Sequence, residues 1–95
     1  MEGSRVNLRD YETRLRQLPC IVGHVMGMRC RCEELHHAGE AEERNDWAQV
    51  PLCHEHHEGA TGVHGLHRRA FHARYKLSDV KMLAITRQLY AKEFE

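Results

Sequence analysis

The N-terminal part of the chain carries apolar residues at the three- and four-residue spacing of an amphipathic helix. We predict one helix over residues 7–18. Asn7 is a favoured capping residue, Asp10 falls in the first turn, and Pro19 would end the helix. The residues predicted to share its apolar face are Leu8, Tyr11, Leu15 and Leu18. We interpret it as a packing helix that covers the metal site, and the alternative is that its face with Arg9, Arg14 and Arg16 contacts phosphate. We expect residues 1–6 to be disordered.

The last third of the chain predicts two further helices within residues 65–94. The first is expected from Gly65 to Lys76. The second is expected from Asp79 to about Phe94, because Ser78 before it is a favoured N-cap residue. The residues expected to face inward from these helices are Leu66, Ala70, Phe71, Val80, Leu83, Ala84, Leu89 and Tyr90.

Between these helices the pattern predicts short strands and loops. Residues 20–28 contain two glycines and no sustained period, which predicts a loop. Residues 29–35 and 47–53 are expected to be strands, and Pro51 restricts the second to a sheet edge or a strand end. The acidic residues 39–46 between them predict a turn.

The whole pattern, from residue 1 to residue 95, predicts a single small α+β domain with a two-stranded core at 29–64. Hydrophobic residues make up 41% of the chain, and Phe, Trp and Tyr only 6%, so few large side chains are available for a core. A bound metal ion would stabilise such a domain, and we therefore expect a zinc-stapled fold.

Charge and segment composition narrow the possible functions. Fourteen Lys and Arg balance fourteen Asp and Glu, which counts mildly against a nucleic-acid binder. Eleven of the basic residues are Arg, however, and the planar guanidinium binds phosphate through two donors at once. No apolar run resembles a signal peptide or a membrane span, so we expect a cytoplasmic protein with no membrane partner. In that reducing compartment the cysteines are expected to bind metal rather than form disulfides.

Three of the four cysteines and seven of the nine histidines fall between Cys30 and His67. Cys53 and His56 have the Cys-x-x-His spacing that brings two ligands to one Zn²⁺, and Zn²⁺ prefers four S or N ligands in a tetrahedron. The upstream candidates for the other two ligands are Cys20, His24, Cys30 and Cys32. The set we favour for a structural zinc is Cys20, Cys32, Cys53 and His56, with Cys30 as the substitute for Cys32. The alternative is that these are ordinary buried thiols.

A second group of histidines predicts a site of a different kind. Its members are His36, His37, His57 and His64. Two separated histidines plus a third from a strand end give three ligands and an open position, which is typical of a catalytic metal. A neighbouring histidine that does not bind the metal can act as a general base. The remaining histidines in this part of the chain, which we expect at the surface, are His54, His67 and His72.

Three segments of the chain carry a family resemblance. LHHAG at 35–39, PLCHEHHEG at 51–59 and GVHGLHRRAF at 62–71 resemble the HNH endonuclease superfamily with its ββα-metal motif. More narrowly, they are similar to the phage Ref-type, RecA-dependent nucleases and to related phage proteins of unknown function. The resemblance runs from about Leu15 to Tyr90. It implies a small ββα-metal (HNH) core with flanking N- and C-terminal helices.

Carried over to this chain, the resemblance implies roles for four histidines. A divalent ion, Mg²⁺, Mn²⁺ or Zn²⁺, would be held by His36, His57 and His64. His37 would be the general base that activates water. The ion would stabilise the transition state and the leaving 3′ oxygen of a phosphodiester.

The same resemblance implies a substrate and partners. The residues that would hold a nucleic-acid backbone, by contacts that carry no sequence information, are Arg68, Arg69 and Arg74. The implied activity is hydrolysis of DNA phosphodiester bonds with little sequence specificity. It would take place in the cytoplasm of a bacterial host during phage or prophage recombination, with a RecA-type recombinase filament as a further partner.

Two positions depart from the family pattern. Many HNH proteins have Asn nine residues before the helix histidine, but here that residue is Ala48, and Asn45 is the nearest candidate. The segment CIVG at 20–23 stands where many relatives have Cys-x-x-Cys, so another ligand must replace the second cysteine.

These departures keep other functions open. One alternative is a non-catalytic zinc module that binds DNA or a recombination protein. Another is that both histidine groups hold structural zinc ions and that no open site exists.

Overall fold

The computed structural model describes residues 6–39 and 45–95 of the chain. It is a small mixed α+β structure, which confirms the predicted fold class at that level. The elements in chain order are α1 (Leu8–Leu15), α2 (Ile21–Met26), β1 (Glu34–His37), β2 (Gln49–Leu52), α3 (His54–His57), α4 (Val63–Tyr75) and α5 (Asp79–Phe94). The expected disorder of residues 1–5 and the part of the expected turn at 40–44 lie outside the described residues.

The strands β1 and β2 form a two-stranded antiparallel sheet in which His36 lies opposite Val50 and Leu35 opposite Pro51. Every residue of β2 is buried, because α2 and α5 pack against it. An isolated two-stranded sheet is only marginally stable in water, so this one depends on the helices around it. No helix in the described parts of the chain is long and apolar enough to cross a membrane.

The predicted helix caps are confirmed. Oδ1 of Asn7 accepts a hydrogen bond from the backbone N–H of Asp10 at 2.8 Å, and Oγ of Ser78 accepts one from the N–H of Lys81 at 3.1 Å. The first helix is shorter than predicted, since α1 ends at Leu15 and a turn follows it.

The inward face of the C-terminal helices differs from the prediction in part. Ala70, Val80 and Ala84 are exposed, and Val80 is 79% exposed. The residues of α5 that are buried are Met82 and Thr86, because the helix is rotated to present that face to β2. Periodicity identified the helix but did not determine which side packs.

Several boundaries in the middle of the chain also differ. Residues 20–28, predicted to be a loop, contain the helix α2, which ends at Met26 and is capped by Gly27 in the left-handed conformation with φ 77°. The first strand begins at Glu34 rather than at residue 29, so it carries the His36–His37 doublet itself. Periodicity did not predict the one-turn helix α3, and α4 begins at Val63 rather than at Gly65.

Two glycines allow α3 and α4 to approach each other closely. A Cβ atom at Gly62 would lie 2.5 Å from the carbonyl oxygen of Glu55 and 2.7 Å from the backbone nitrogen of His57. A Cβ atom at Gly65 would overlap the carbonyl group of Gly59. Since glycine has no side chain, the loop at 58–62 can fold tightly at these two positions. The segment after the loop lies beside the end of α3.

We predict that Gly62→Ala lowers the free energy of unfolding by about 1–3 kcal/mol, because the added methyl group meets backbone atoms that cannot move aside cheaply. Chemical denaturation of the two purified proteins measures this difference. Ala60→Ser, at an exposed position in the same loop, is the matched control and should change stability by less than about 0.5 kcal/mol. Equal stability of Gly62→Ala and the wild type would contradict the close approach.

Candidate metal centres

Three cysteines and one histidine converge where α2, β2 and α3 meet. Cys20 precedes α2, Cys30 follows it, and Cys53 is the N-cap of α3, which contains His56. The Nδ1 atom of His56 lies 3.2 Å from Sγ of Cys53, 3.5 Å from Sγ of Cys20 and 3.6 Å from Sγ of Cys30. All of these residues except Cys30 are buried, and Cys30 is half-buried. We call these four residues the Cys3His cluster.

The Cys3His cluster fits a tetrahedral zinc ion. With Zn–S near 2.3 Å and Zn–N near 2.0 Å, sulfur and nitrogen ligands in a tetrahedron lie roughly 3.5 Å apart, which matches the three distances above. Burial lowers the pKa of His56, which favours the neutral imidazole that can bind a cation. Burial and neighbouring thiols raise the pKa of Cys30 and of Cys53, and a cation among the sulfurs would oppose that effect. The cluster can therefore hold a metal ion such as zinc.

Cys32, the favoured fourth ligand in the sequence prediction, lies outside this cluster, and its stated substitute Cys30 lies inside it. The backbone N–H of Cys20 donates a hydrogen bond to the carbonyl oxygen of Cys30 at 3.4 Å, which sets residue 30 opposite residue 20. Cys32 is two residues farther along an extended segment, roughly 6–7 Å away. Its Sγ instead donates a hydrogen bond to the carbonyl oxygen of Glu34 at 3.3 Å.

A second group consists of three histidines from three elements, and we call it the histidine trio. His36 lies in β1, His57 is the last residue of α3, and His64 is in the first turn of α4. One ring nitrogen from each lies within 4.8 Å of the others, and the ring centroids are 4.9–5.7 Å apart. His36 and His57 are buried, whereas His64 is exposed. Three imidazoles in this arrangement can hold a metal ion and leave a coordination position open.

Two carboxylates orient the buried members of the trio. Nδ1 of His57 lies 2.8 Å from Oε1 of Glu34, and Nε2 of His36 lies 3.3 Å from Oδ1 of Asp79. Each hydrogen bond leaves the other ring nitrogen for a metal ion, and such bonds fix the ring orientation and make the ligand more basic. Hydrogen bonds from His54 and His57 lower the pKa of Glu34, and the bond from His36 is the main reason that the pKa of Asp79 falls to about 2.

Asp79, the first residue of α5, also holds the turn that follows β1. Its Oδ2 atom accepts a hydrogen bond from the backbone N–H of Gly39 at 2.8 Å and lies 3.4 Å from Nη2 of Arg68. One carboxylate therefore connects His36, the turn after the histidine doublet, and α4.

Ala48 occupies the position where the family resemblance leads us to expect Asn, and its backbone forms two hydrogen bonds. The carbonyl oxygen of Ala48 accepts a hydrogen bond from the N–H of Ala38 at 2.9 Å, and the N–H of Ala48 donates to the carbonyl oxygen of Asn45 at 3.1 Å. Oδ1 of Asn45 accepts a hydrogen bond from the N–H of Trp47 at 2.8 Å. Asn45, three residues before Ala48, thus stabilises the segment that leads into β2.

A cavity of about 440 Å³ opens beside the histidine trio. His37, the expected general base, lines this cavity, and its side chain is 37% exposed. Its Nε2 atom lies 3.8 Å from Oδ1 of Asp46. Arg68 and His67 line the same cavity. The expected base and one expected phosphate ligand therefore lie next to the trio.

The other two arginines lie farther along α4. Arg69 lines a separate shallow depression with Lys76, and the guanidinium of Arg74 stacks over the ring of Tyr75 at 5.5 Å from its centroid. Both arginine side chains are exposed. They can contact a strand that extends beyond the cavity.

Sequence reasoning missed the two carboxylates. Glu34 has a signal that could have found it, because residues i and i+2 of a strand share a face and Glu34 is two residues before His36. Asp79 has no such signal, since it is 43 residues away from its partner. His54 is exposed, as predicted. Its Nδ1 atom lies 2.8 Å from Oε2 of Glu34, a contact that was not predicted.

Comparisons with known proteins give no family assignment. The chain matches no protein-family model, and no curated protein matches it. The candidate function therefore rests on the chemistry and the geometry of the two groups of ligands.

We predict that Cys30→Ser weakens zinc binding at the Cys3His cluster by roughly 100-fold or more, because losing a direct ligand costs more than losing an outer partner. Cys32→Ser is the matched control and should bind zinc like the wild type. Competition with a chromophoric chelator measures the affinity, and Co²⁺ substitution reports the thiolate ligands through their charge-transfer absorption. The reverse ranking of the two variants would show that Cys32 is the ligand.

We predict that Asp79→Asn lowers the free energy of unfolding by about 1–3 kcal/mol, because three partners lose a charged acceptor. The folded pKa of Asp79, about 2, is below its ordinary value of 3.8. Its contribution is therefore fully present above that ordinary value and is lost as the pH falls toward 2. Denaturation of both proteins across this range measures the contribution, and a difference that grows toward low pH would contradict it.

Proposed function

We propose that this protein is a metal-dependent endonuclease of the HNH type that hydrolyses DNA phosphodiester bonds with little sequence specificity. The observation that supports this proposal best is the open histidine trio, with His37 and Arg68 lining the same cavity. A ligand set, a base and a phosphate-binding cation within one cavity are the groups that such hydrolysis requires. A closed structural metal site alone would need neither an open side nor a neighbouring base.

The trio would hold one divalent ion. Its positive charge would stabilise the negative charge on the phosphodiester oxygens and on the leaving oxygen. Three imidazole ligands suit Zn²⁺ better than Mg²⁺ or Mn²⁺, since the latter two prefer oxygen ligands. The protein contributes the orientation of the imidazoles. Glu34 and Asp79 hold His57 and His36 from outside the trio, so the ligands need little rearrangement when the ion binds.

His37 is the residue placed to move a proton in this reaction. In the proposed step, it takes a proton from water while the water oxygen bonds to phosphorus. The bond from phosphorus to the 3′ oxygen breaks, and the 3′ oxygen leaves and is protonated by solvent. Half-exposure of His37 allows water to reach it and allows the proton to return to solvent afterwards.

The arginines explain how a chain with no net charge could bind DNA. Arg68 in the cavity and Arg69 and Arg74 along α4 place three guanidinium groups on one helix. Contacts from these groups to phosphates would position the strand and carry no sequence information, which would give low sequence specificity. A RecA-type recombinase filament in a phage or prophage setting would then determine where on the DNA cleavage occurs.

The Cys3His cluster would hold a structural Zn²⁺ in the same proposal. It joins the segment around α2 to the β2–α3 junction. A non-catalytic zinc module that binds DNA or a recombination protein is the second candidate function, and this closed cluster favours it, since a folding metal needs no open position.

We predict that purified protein cleaves supercoiled or single-stranded DNA when supplied with Zn²⁺, Mn²⁺ or Mg²⁺. His37→Ala should reduce the rate roughly 100- to 10,000-fold, the range typical of removing a general base. His24→Ala is the matched control, because His24 is exposed on α2 outside both ligand groups, and it should cleave like the wild type.

The outcomes separate the candidates. No cleavage with any of the three metals, whether or not a recombinase filament is added, overturns the nuclease proposal, and so does cleavage that is equal in wild type and His37→Ala. DNA binding without cleavage would favour the zinc module. Cleavage that requires an added recombinase filament would identify that filament as a partner.

A further inference from the structure

The backbone at His67 adopts a conformation that is rare for a residue with a side chain. Its φ is 72° and its ψ is 156°, and these angles interrupt α4 between two helical segments. This region is populated almost only by glycine, because a Cβ atom collides there with the neighbouring peptide groups. The other non-glycine residue with positive φ in the described ranges is Lys76, with φ 59° and ψ 34°, an ordinary left-handed helix end.

Glycine would relieve this strain, and the chain uses glycine freely nearby. Gly59, Gly62 and Gly65 all lie within eight residues of His67, each where a side chain would collide with the protein. At the one position in this segment where positive φ itself favours glycine, the chain has histidine. Strain that persists at such a position is commonly compensated by a role of the side chain.

The location of His67 indicates what that role is. His67 lines the cavity beside the histidine trio, together with His37 and Arg68. The helix break also separates His64, in the segment before it, from Arg68, in the segment after it, and both line that cavity. Among the described residues, the cavity is thus bordered by five imidazole groups and one guanidinium against the single carboxylate of Glu58, and this excess of hydrogen-bond donors suits an anionic ligand.

We propose that His67 is a substrate-binding residue whose imidazole donates a hydrogen bond to a phosphate oxygen of the nucleic-acid strand in the cavity. This inference rests on the proposed function, because the ligand is the same phosphodiester chain. The non-helical backbone at His67 interrupts the regular path of α4 at the point where the chain borders the cavity. In this proposal, the strained backbone at His67 lowers the stability of the protein, and the imidazole contacts phosphate.

A purely structural role makes a different prediction. If only the break in α4 matters, so that His64 and Arg68 both reach the cavity, then glycine would serve at least as well as histidine. His67→Gly keeps the break, relieves the strain and removes the imidazole. His67→Ala removes the imidazole but keeps the strain.

The experiment compares wild type, His67→Gly, His67→Ala and the control His24→Ala, all loaded with zinc. Fluorescence anisotropy measures the Kd for a short fluorescent single-stranded oligonucleotide, and thermal melts measure Tm. We expect both His67 variants to bind the oligonucleotide about tenfold more weakly than the wild type. We expect the Tm of His67→Gly to exceed that of His67→Ala by roughly 4 °C or more. His24→Ala should match the wild type in both measurements.

Two results would overturn the inference. His67→Gly that binds as tightly as the wild type would show that the imidazole is not used. A Tm for His67→Gly at or below that of His67→Ala would show that the position is not strained.

The measurements distinguish a failure of the proposed His67 contact from a failure of the proposed nuclease activity. A wild type that binds the oligonucleotide but never cleaves DNA overturns the nuclease activity, and the binding ratios still decide the role of His67. A wild type that does not bind the oligonucleotide overturns both.

Discussion

The convergence of three sulfur atoms on Nδ1 of His56 is the interaction on which the rest of the fold depends. It joins the loop before α2, the segment after α2 and the β2–α3 junction at one point. A two-stranded sheet and a core with few aromatic side chains supply little stability of their own. Linking three separated cysteines through a metal ion would compensate for that deficit, because binding energy at such a site becomes folding energy.

This junction also positions the second group of ligands. Successive residues in a helix point about 100° apart, so the single turn α3 directs His56 into the Cys3His cluster and His57 into the histidine trio. The Cys3His cluster and the histidine trio therefore share one turn of backbone. The carboxylates of Glu34 and Asp79 then hold the trio from β1 and α5, which makes its geometry depend on packing far from α3.

The neutral net charge of the chain is compatible with an anion-binding cavity, because the charges are distributed unevenly. In the described part of the chain, the cavity wall contains five histidines and Arg68, with Glu58 as its one carboxylate. At the edge of the same cavity, His67 has φ 72° and ψ 156°, a conformation populated almost only by glycine. A site of this kind is recognised from its local composition rather than from the total charge of the protein.

Short-range spacing and residue chemistry were enough to predict the fold class, the helix caps at Asn7 and Ser78, and the residue types of the Cys3His cluster and the histidine trio. They could not predict that Cys30 rather than Cys32 lies in the Cys3His cluster, since that depends on which backbone groups pair across α2. The folded structure supplies that information. It also decided that Asp79 reaches His36 and that the face of α5 with Met82 is buried. These contacts join residues far apart in the chain, and local periodicity carries no information about them.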